Sequence, residues 1–110
     1  MKMNEELMEI SFGLIANAGE AKGLAYDALS KAKAGEFEEA RELINKSREE
    51  MNKAHAFQTK LITEEASGNS VELNVLLIHA QDHLMNAMNF QQLAEEFIEV
   101  YERLVKLENK

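Results

Sequence analysis

Apolar residues recur at intervals of three and four along three long stretches of this chain, the spacing of a buried helix face. The first stretch runs from about Asn4 to Lys33, with Leu7, Ile10, Leu14, Ala18, Ala21, Ala25, Ala28 and Ala32 as its seam. Ala16, Gly19 and Gly23 add to the small residues here, which would let a neighbouring helix approach closely. Lys31 and Lys33 suit the negative end of the helix dipole, and Gly35 suits a left-handed stop. The second stretch spans about 36–66. Glu36, Glu38 and Glu39 open it, and Phe37, Ala40, Ile44, Ser47, Met51, Ala54, Gln58 and Leu61 form its seam. The run Ala66-Ser67-Gly68-Asn69-Ser70 is rich in turn formers and breaks the pattern. The third stretch spans about 72–108, with either Ser70 or Asn74 as its N-cap. Three long helices with short breaks predict an all-α, antiparallel three-helix bundle in one domain covering residues 1–110.

The third helix carries two seams. Leu77, Ala80, Leu84, Ala87, Gln91, Ala94, Ile98, Tyr101 and Val105 form one, and His79, Asp82, Asn86, Phe90, Leu93, Phe97, Val100 and Leu104 form the other. At about 100° per residue the two lie roughly 130° apart. One broad apolar face suffices for a helix in a bundle, so a second needs another surface over it. Self-association through this helix is the economical answer. A single wide face that wraps both partner helices is the alternative.

Composition narrows the class. The chain of 110 residues is 45% apolar and 29% charged, with no proline and few glycines, which favours helices over hairpins. A formal charge of −8 opposes binding to nucleic acid or to an anionic membrane. The absence of cysteine excludes disulfides, thiolate metal sites and cysteine nucleophiles. The opening Met1-Lys2-Met3-Asn4-Glu5-Glu6 lacks the apolar core of a signal peptide, and Val75-Leu76-Leu77-Ile78 is far too short to span a membrane. A soluble, cytoplasmic protein is expected.

The chemistry concentrates in the third helix, where His79, Asp82 and His83 share a face. Imidazole serves as proton carrier, nucleophile or metal ligand near neutral pH. The i, i+4 histidines fit a transition-metal pair. A ferritin-like metal helix, however, uses Glu-x-x-His, and the residues three before His79, His83 and His55 are Leu76, Ala80 and Asn52. Met85 and Met88 read as core filler, Glu95-Glu96 as solvated surface, and His55 as an ordinary helical histidine. If the second seam is buried between copies, symmetry brings Asp82 carboxylates together, and protons or a hard cation such as Mg²⁺ must compensate them. Alternatively, His79 accepts a phosphoryl group, with His83 and Gln81 as hydrogen-bond donors to its oxygens.

The string LLIHAQDHLMNAMN, starting at Leu76, strongly resembles the active-site helix of enzyme IIA of the lactose/cellobiose class of the sugar phosphotransferase system. The likeness extends to Glu9-Ile10-Ser11-Phe12 with Leu14–Ala21, to Ala54-His55 with Gln58-Thr59 and Glu65–Gly68, and to Ala94–Phe97 with Tyr101. Asn74 and Asn86-Ala87 stand where that family frequently has serine or threonine. The resemblance implies a three-helix subunit assembled as a homotrimer with a coiled-coil-like interface. It implies that His79 takes a phosphoryl group from the phosphocarrier HPr and passes it to a cysteine of enzyme IIB, for uptake of a β-linked disaccharide, with the membrane reached only through IIB and IIC. It also implies His83 as an auxiliary to His79, and Asp82 from three subunits around one structural Mg²⁺. Two rivals are a helical adaptor, since Ala32–Ala40 is similar to tetratricopeptide-type helix pairs, and a two-component histidine phosphotransfer domain. The first needs stacked repeats, which the chain lacks. The second usually has Lys and Gly three and four residues after its histidine, where Asp82 and His83 stand here.

Overall fold

The computed structural model describes residues 2–110. Its elements are α1 (Lys2–Lys33), α2 (Phe37–Ala66) and α3 (Val75–Glu108), with no strand among the described residues. The molecule is a rod of 63 × 20 × 20 Å.

Both connections begin with the same helix stop. Gly35 adopts φ 81° and Gly68 φ 91°, the left-handed conformation that a Cβ disfavours. In the first, the Glu36 N–H donates to the Lys31 carbonyl and the Gly35 N–H to that of Ala32. In the second, Asn69 and Gly68 bond in the same way to Glu64 and Glu65, so both ends are Schellman motifs. Lys31 bridges Glu36 and Glu39 across the first turn, and hydrogen bonding by Glu39 with the charge of Glu36 holds its ammonium above the usual lysine range.

The third helix starts at Val75 rather than near position 72. Asn74 is extended, and its side-chain oxygen accepts the Leu77 N–H at 2.8 Å, so Asn74 and not Ser70 is the cap.

All the seam positions of α1 are buried, and α1 is the helix against which both others pack. Leu7–Ala21 of α1 meets Met51, Ala54 and Leu61 of α2 and Leu77–Ala87 of α3. Ala25, Ala28 and Ala32 meet Ala40 and Ile44, and Ala94 and Ile98. Between the two clusters lies a buried polar node. The Ser47 hydroxyl donates to the Ala21 carbonyl at 2.6 Å and accepts from the Gln91 amide at 2.6 Å, joining all three helices. Asn17 donates to Glu50 at 2.9 Å on the same side of α1. Hydrogen bonds from Lys53 and Asn17 hold the Glu50 carboxyl below its ordinary range, so this tie acts above that range and is lost as pH falls through the lowered value.

Contact between α2 and α3 is sparser and partly polar: Gln58 with Gln81, Arg48 with Glu95, and Arg41 with Glu102. Glu95 is therefore a bridging residue rather than simple solvated surface, whereas Glu96 is exposed. Met88 packs on the core as expected, but Met85 is exposed. Of the small residues of α1, Ala18 and Ala21 are buried, while Ala16, Gly19 and Gly23 face outward. The close approach falls instead at Gly13, where a Cβ would lie 2.5 Å from the Phe57 ring.

The first seam of α3 is buried from Leu77 to Ile98. The second is partly covered at Phe90, which packs on the core, and stays open beyond it, with Leu93 56%, Phe97 49%, Val100 48% and Leu104 44% exposed. A wide face wrapping both partner helices is thereby corrected: α1 and α2 cover only one side of α3.

Two buried serines give opposite expectations. Ser47→Ala leaves the Gln91 amide unpaired and is expected to cost about 1–3 kcal/mol. The Ser11 hydroxyl is buried without a partner, so Ser11→Ala is expected to be neutral or stabilising. Urea unfolding at fixed protein concentration checks both.

Candidate functional site

The first turns of α3 fix the direction of each side chain in the histidine run. Asn74 sets the start of the helix, and Leu77, Ala80 and Leu84 anchor it in the core. His79 and Asp82 are consequently exposed and His83 half-buried. The two imidazoles meet edge to face, with ring centroids 4.6 Å apart and planes at 79°. This is the geometry expected from their i, i+4 spacing.

Asp82 stands one turn along and forms no ion pair among the described residues. No three His, Asp or Glu side chains are grouped to hold a metal ion among those residues. The i, i+4 histidines thus gain no third ligand within one subunit. His55 lies exposed on α2.

Gln81 lies about 200° around the helix from His79. Its amide donates to the Gln58 side-chain oxygen at 2.6 Å. To reach a phosphoryl group on His79 it would have to leave that bond and turn to the other side of α3. Gln58 looked like a core position in the α2 seam; it is half-buried and is the partner of Gln81. Both border an open, largely apolar cavity of about 390 Å³ between the end of α2, the connection and α3, lined also by Ile62, Leu73, Leu77 and Ile78.

The charge pattern around the histidines is one-sided. No lysine or arginine occurs from Leu61 to Glu102, while Glu64, Glu65, Glu72, Asp82, Glu95, Glu96, Glu99 and Glu102 all fall in that segment. The pattern is visible in the sequence, but as an absence it forms no motif. An open imidazole with a second imidazole at its edge can act as a nucleophile. Any anion formed on it finds no counter-charge on its own helix near it.

Comparison with known proteins places these features in a family. The family described as PTS system, Lactose/Cellobiose specific IIA subunit matches residues 9–102. The lichenan-specific phosphotransferase enzyme IIA component of Bacillus subtilis (strain 168) is 45% identical, over 94% of this chain and 94% of the relative. The crystal structure of the PTS cellobiose-specific enzyme IIA from Bacillus anthracis is similar with a TM-score of 0.87 and 51% identity, covering 89% of this chain and 90% of that one. The IIA(Chitobiose) of Escherichia coli, solved in complex with HPr, is similar with a TM-score of 0.78 and 44% identity, covering 89% and 95%.

The cap that aims the histidine run is open to test. Asn74→Ala removes the acceptor for the Leu77 N–H and is expected to cost about 1 kcal/mol, with Asn74→Ser close to wild type. Amide exchange at Leu77 should quicken in the alanine variant alone.

Proposed function

The chain belongs to the lactose/cellobiose-specific IIA family of the sugar phosphotransferase system, and from that membership we propose that it is a cytoplasmic phosphohistidine carrier whose nucleophile is His79. The observation that carries this reading is the open imidazole of His79, packed edge to face with His83 on α3. The adaptor and two-component readings give way to the family membership.

The donor in this reading is HPr, the protein with which the related IIA(Chitobiose) was solved. The lone-pair nitrogen of neutral His79 attacks the phosphorus. The N–P bond to the donor histidine breaks, and the donor ring, protonated on its other nitrogen, leaves as neutral imidazole. His79 keeps its own N–H and carries the phosphoryl group as a phosphoimidazolium. The cysteine thiolate of enzyme IIB then attacks the phosphorus, an S–P bond forms, and His79 leaves as neutral imidazole. His83, at the edge of the ring, is the auxiliary that orients it. Relatives named for lichenan, cellobiose and N,N'-diacetylchitobiose support a β-linked disaccharide as the final acceptor.

The assembly proposed is a homotrimer of antiparallel three-helix subunits. The order in which successive parts of α1, α2 and α3 share the two core clusters supports the antiparallel course. The open line Leu93, Phe97, Val100 and Leu104 supports burial of α3 against its copies. Asp82, exposed and unpaired at the head of that line, fits a site shared about the symmetry axis. Three carboxylates meeting there would hold one Mg²⁺, with water completing its shell. The ion would offset their repulsion and serve structure alone.

Incubation with phosphoenolpyruvate, the kinase of HPr and HPr is expected to add one acid-labile phosphoryl group per chain, and none to His79→Gln. Label that persists in His79→Gln removes the assignment of the nucleophile. Sedimentation with metal analysis tests the assembly. Phe97→Asp is expected to dissociate the trimer, and Asp82→Leu to keep it while losing the ion. A wild-type trimer that binds no ion rules out the metal role of Asp82.

A further inference from the structure

A phosphoryl group brings about two negative charges to His79, onto a segment that offers no lysine or arginine from Leu61 to Glu102. Phosphoryl transfer depends on positioning and on stabilising that charge. The counter-charge must therefore come from another element.

The aromatic packing shows which element faces the site. His79, His83 and Phe90 follow at intervals of four and seven and share one face of α3. Phe90 stacks on Tyr26 of α1, with centroids 3.9 Å apart and planes at 23°. Ile15, Gly19, Lys22 and Tyr26 form the corresponding line of α1, at intervals of four, three and four. The two helices run in step, because Leu7–Ala21 packs with Leu77–Ala87 and Ala25–Ala32 with Ala94 and Ile98. Counting back from the stacked pair, Lys22 comes level with Asn86, Gly19 with His83 and Ile15 with His79.

Lys22 and Gly19 each have a property that fits this position. Lys22 is half-buried and has no carboxylate partner among the described residues. Lys31, Arg41, Arg48, Lys53, Lys60 and Arg103 are all paired. Lys33, Lys46, Lys106 and Lys110, not paired either, are exposed. A lysine in this position packs by its stem and keeps an unengaged ammonium free to meet an anion. At Gly19 a Cβ would meet nothing within 4 Å, so the space level with His83 is open. Lys22 lies about 10 Å along the axis from the level of His79 at 1.5 Å per residue. Helical side chains lean toward the N-terminus, here toward His79.

We propose that Lys22 contacts the phosphoryl group on His79 across the open surface at Gly19, supplying the positive charge that α3 lacks. This rests on the phosphohistidine reading above. Lys22 stays protonated and forms no covalent bond in the transfer; its ammonium donates to the phosphoryl oxygens.

The test compares labelling of His79 by phosphorylated HPr with labelling by phosphoramidate, a donor too small to need a docking surface. Lys22→Gln is expected to slow both by about 100-fold, and Lys22→Arg to recover most of the rate. Gly19→Leu places a bulky side chain on that open surface and should slow both donors as well. Lys46→Gln on α2 should label at the wild-type rate. In the wild type, the Lys22 Nζ resonance should shift on phosphorylation, a readout independent of any variant. Wild-type rates for Lys22→Gln with both donors overturn the proposal and leave the carrier reading intact. Slowing with HPr alone makes Lys22 a docking residue and also overturns it. A wild-type protein that takes no label from either donor removes the carrier reading, and this proposal with it.

Discussion

Close approach to α1 is the constraint on which the other features depend. Five alanines, at 18, 21, 25, 28 and 32, are buried along its seam. Short side chains let two helices lie against one helix at small separation. That proximity brings the Ser47 hydroxyl to 2.6 Å from a backbone carbonyl of α1. A larger residue at Ala21 would hold α2 off and break the node that ties in Gln91. Such a node contributes modestly to stability, but it distinguishes the native register from a slipped one, in which its buried groups would lose their partners.

The arrangement is asymmetric about α3. This helix is anchored on α1 and only partly on α2, through pairs such as Gln58–Gln81 and Arg48–Glu95. Its remaining surface divides into a side bordering α1, with His79, His83 and Phe90, and an outer side with Leu93 and Val100. A side chain on a rigid helix is aimed more reproducibly than one on a loop. The Asn74 cap and the buried Leu77 and Leu84 set that aim from within the core.

Much of this was legible in the sequence because the controlling signal is periodic. The α1 seam, the stop at Gly35 and the face shared by His79, Asp82 and His83 follow from helical spacing alone. Spacing does not say which neighbour a partly buried polar residue meets. The period alone puts Gln58 in the core, whereas it is the partner of Gln81, and spacing alone makes Glu95 free surface, whereas Arg48 of α2 lies beside it. The choice between Ser70 and Asn74 required the backbone conformation. The level of Lys22 relative to the histidines required the Tyr26–Phe90 stack, since no local pattern encodes the offset between two helices.

The rod shape sets the histidine run well apart from the turn between α1 and α2. His79 sits in the first turns of α3, and the far end of that helix is about 45 Å away at 1.5 Å per residue. The Gly35 turn, where α1 stops, lies toward that end, about 30 Å from the level of His79 by the same rise. A fluorophore, a surface tether or a grafted domain attached there would hold the rod by its base and present the imidazole face outward. The protein therefore comes with a natural handle, remote enough from the histidine run to be gripped without touching it.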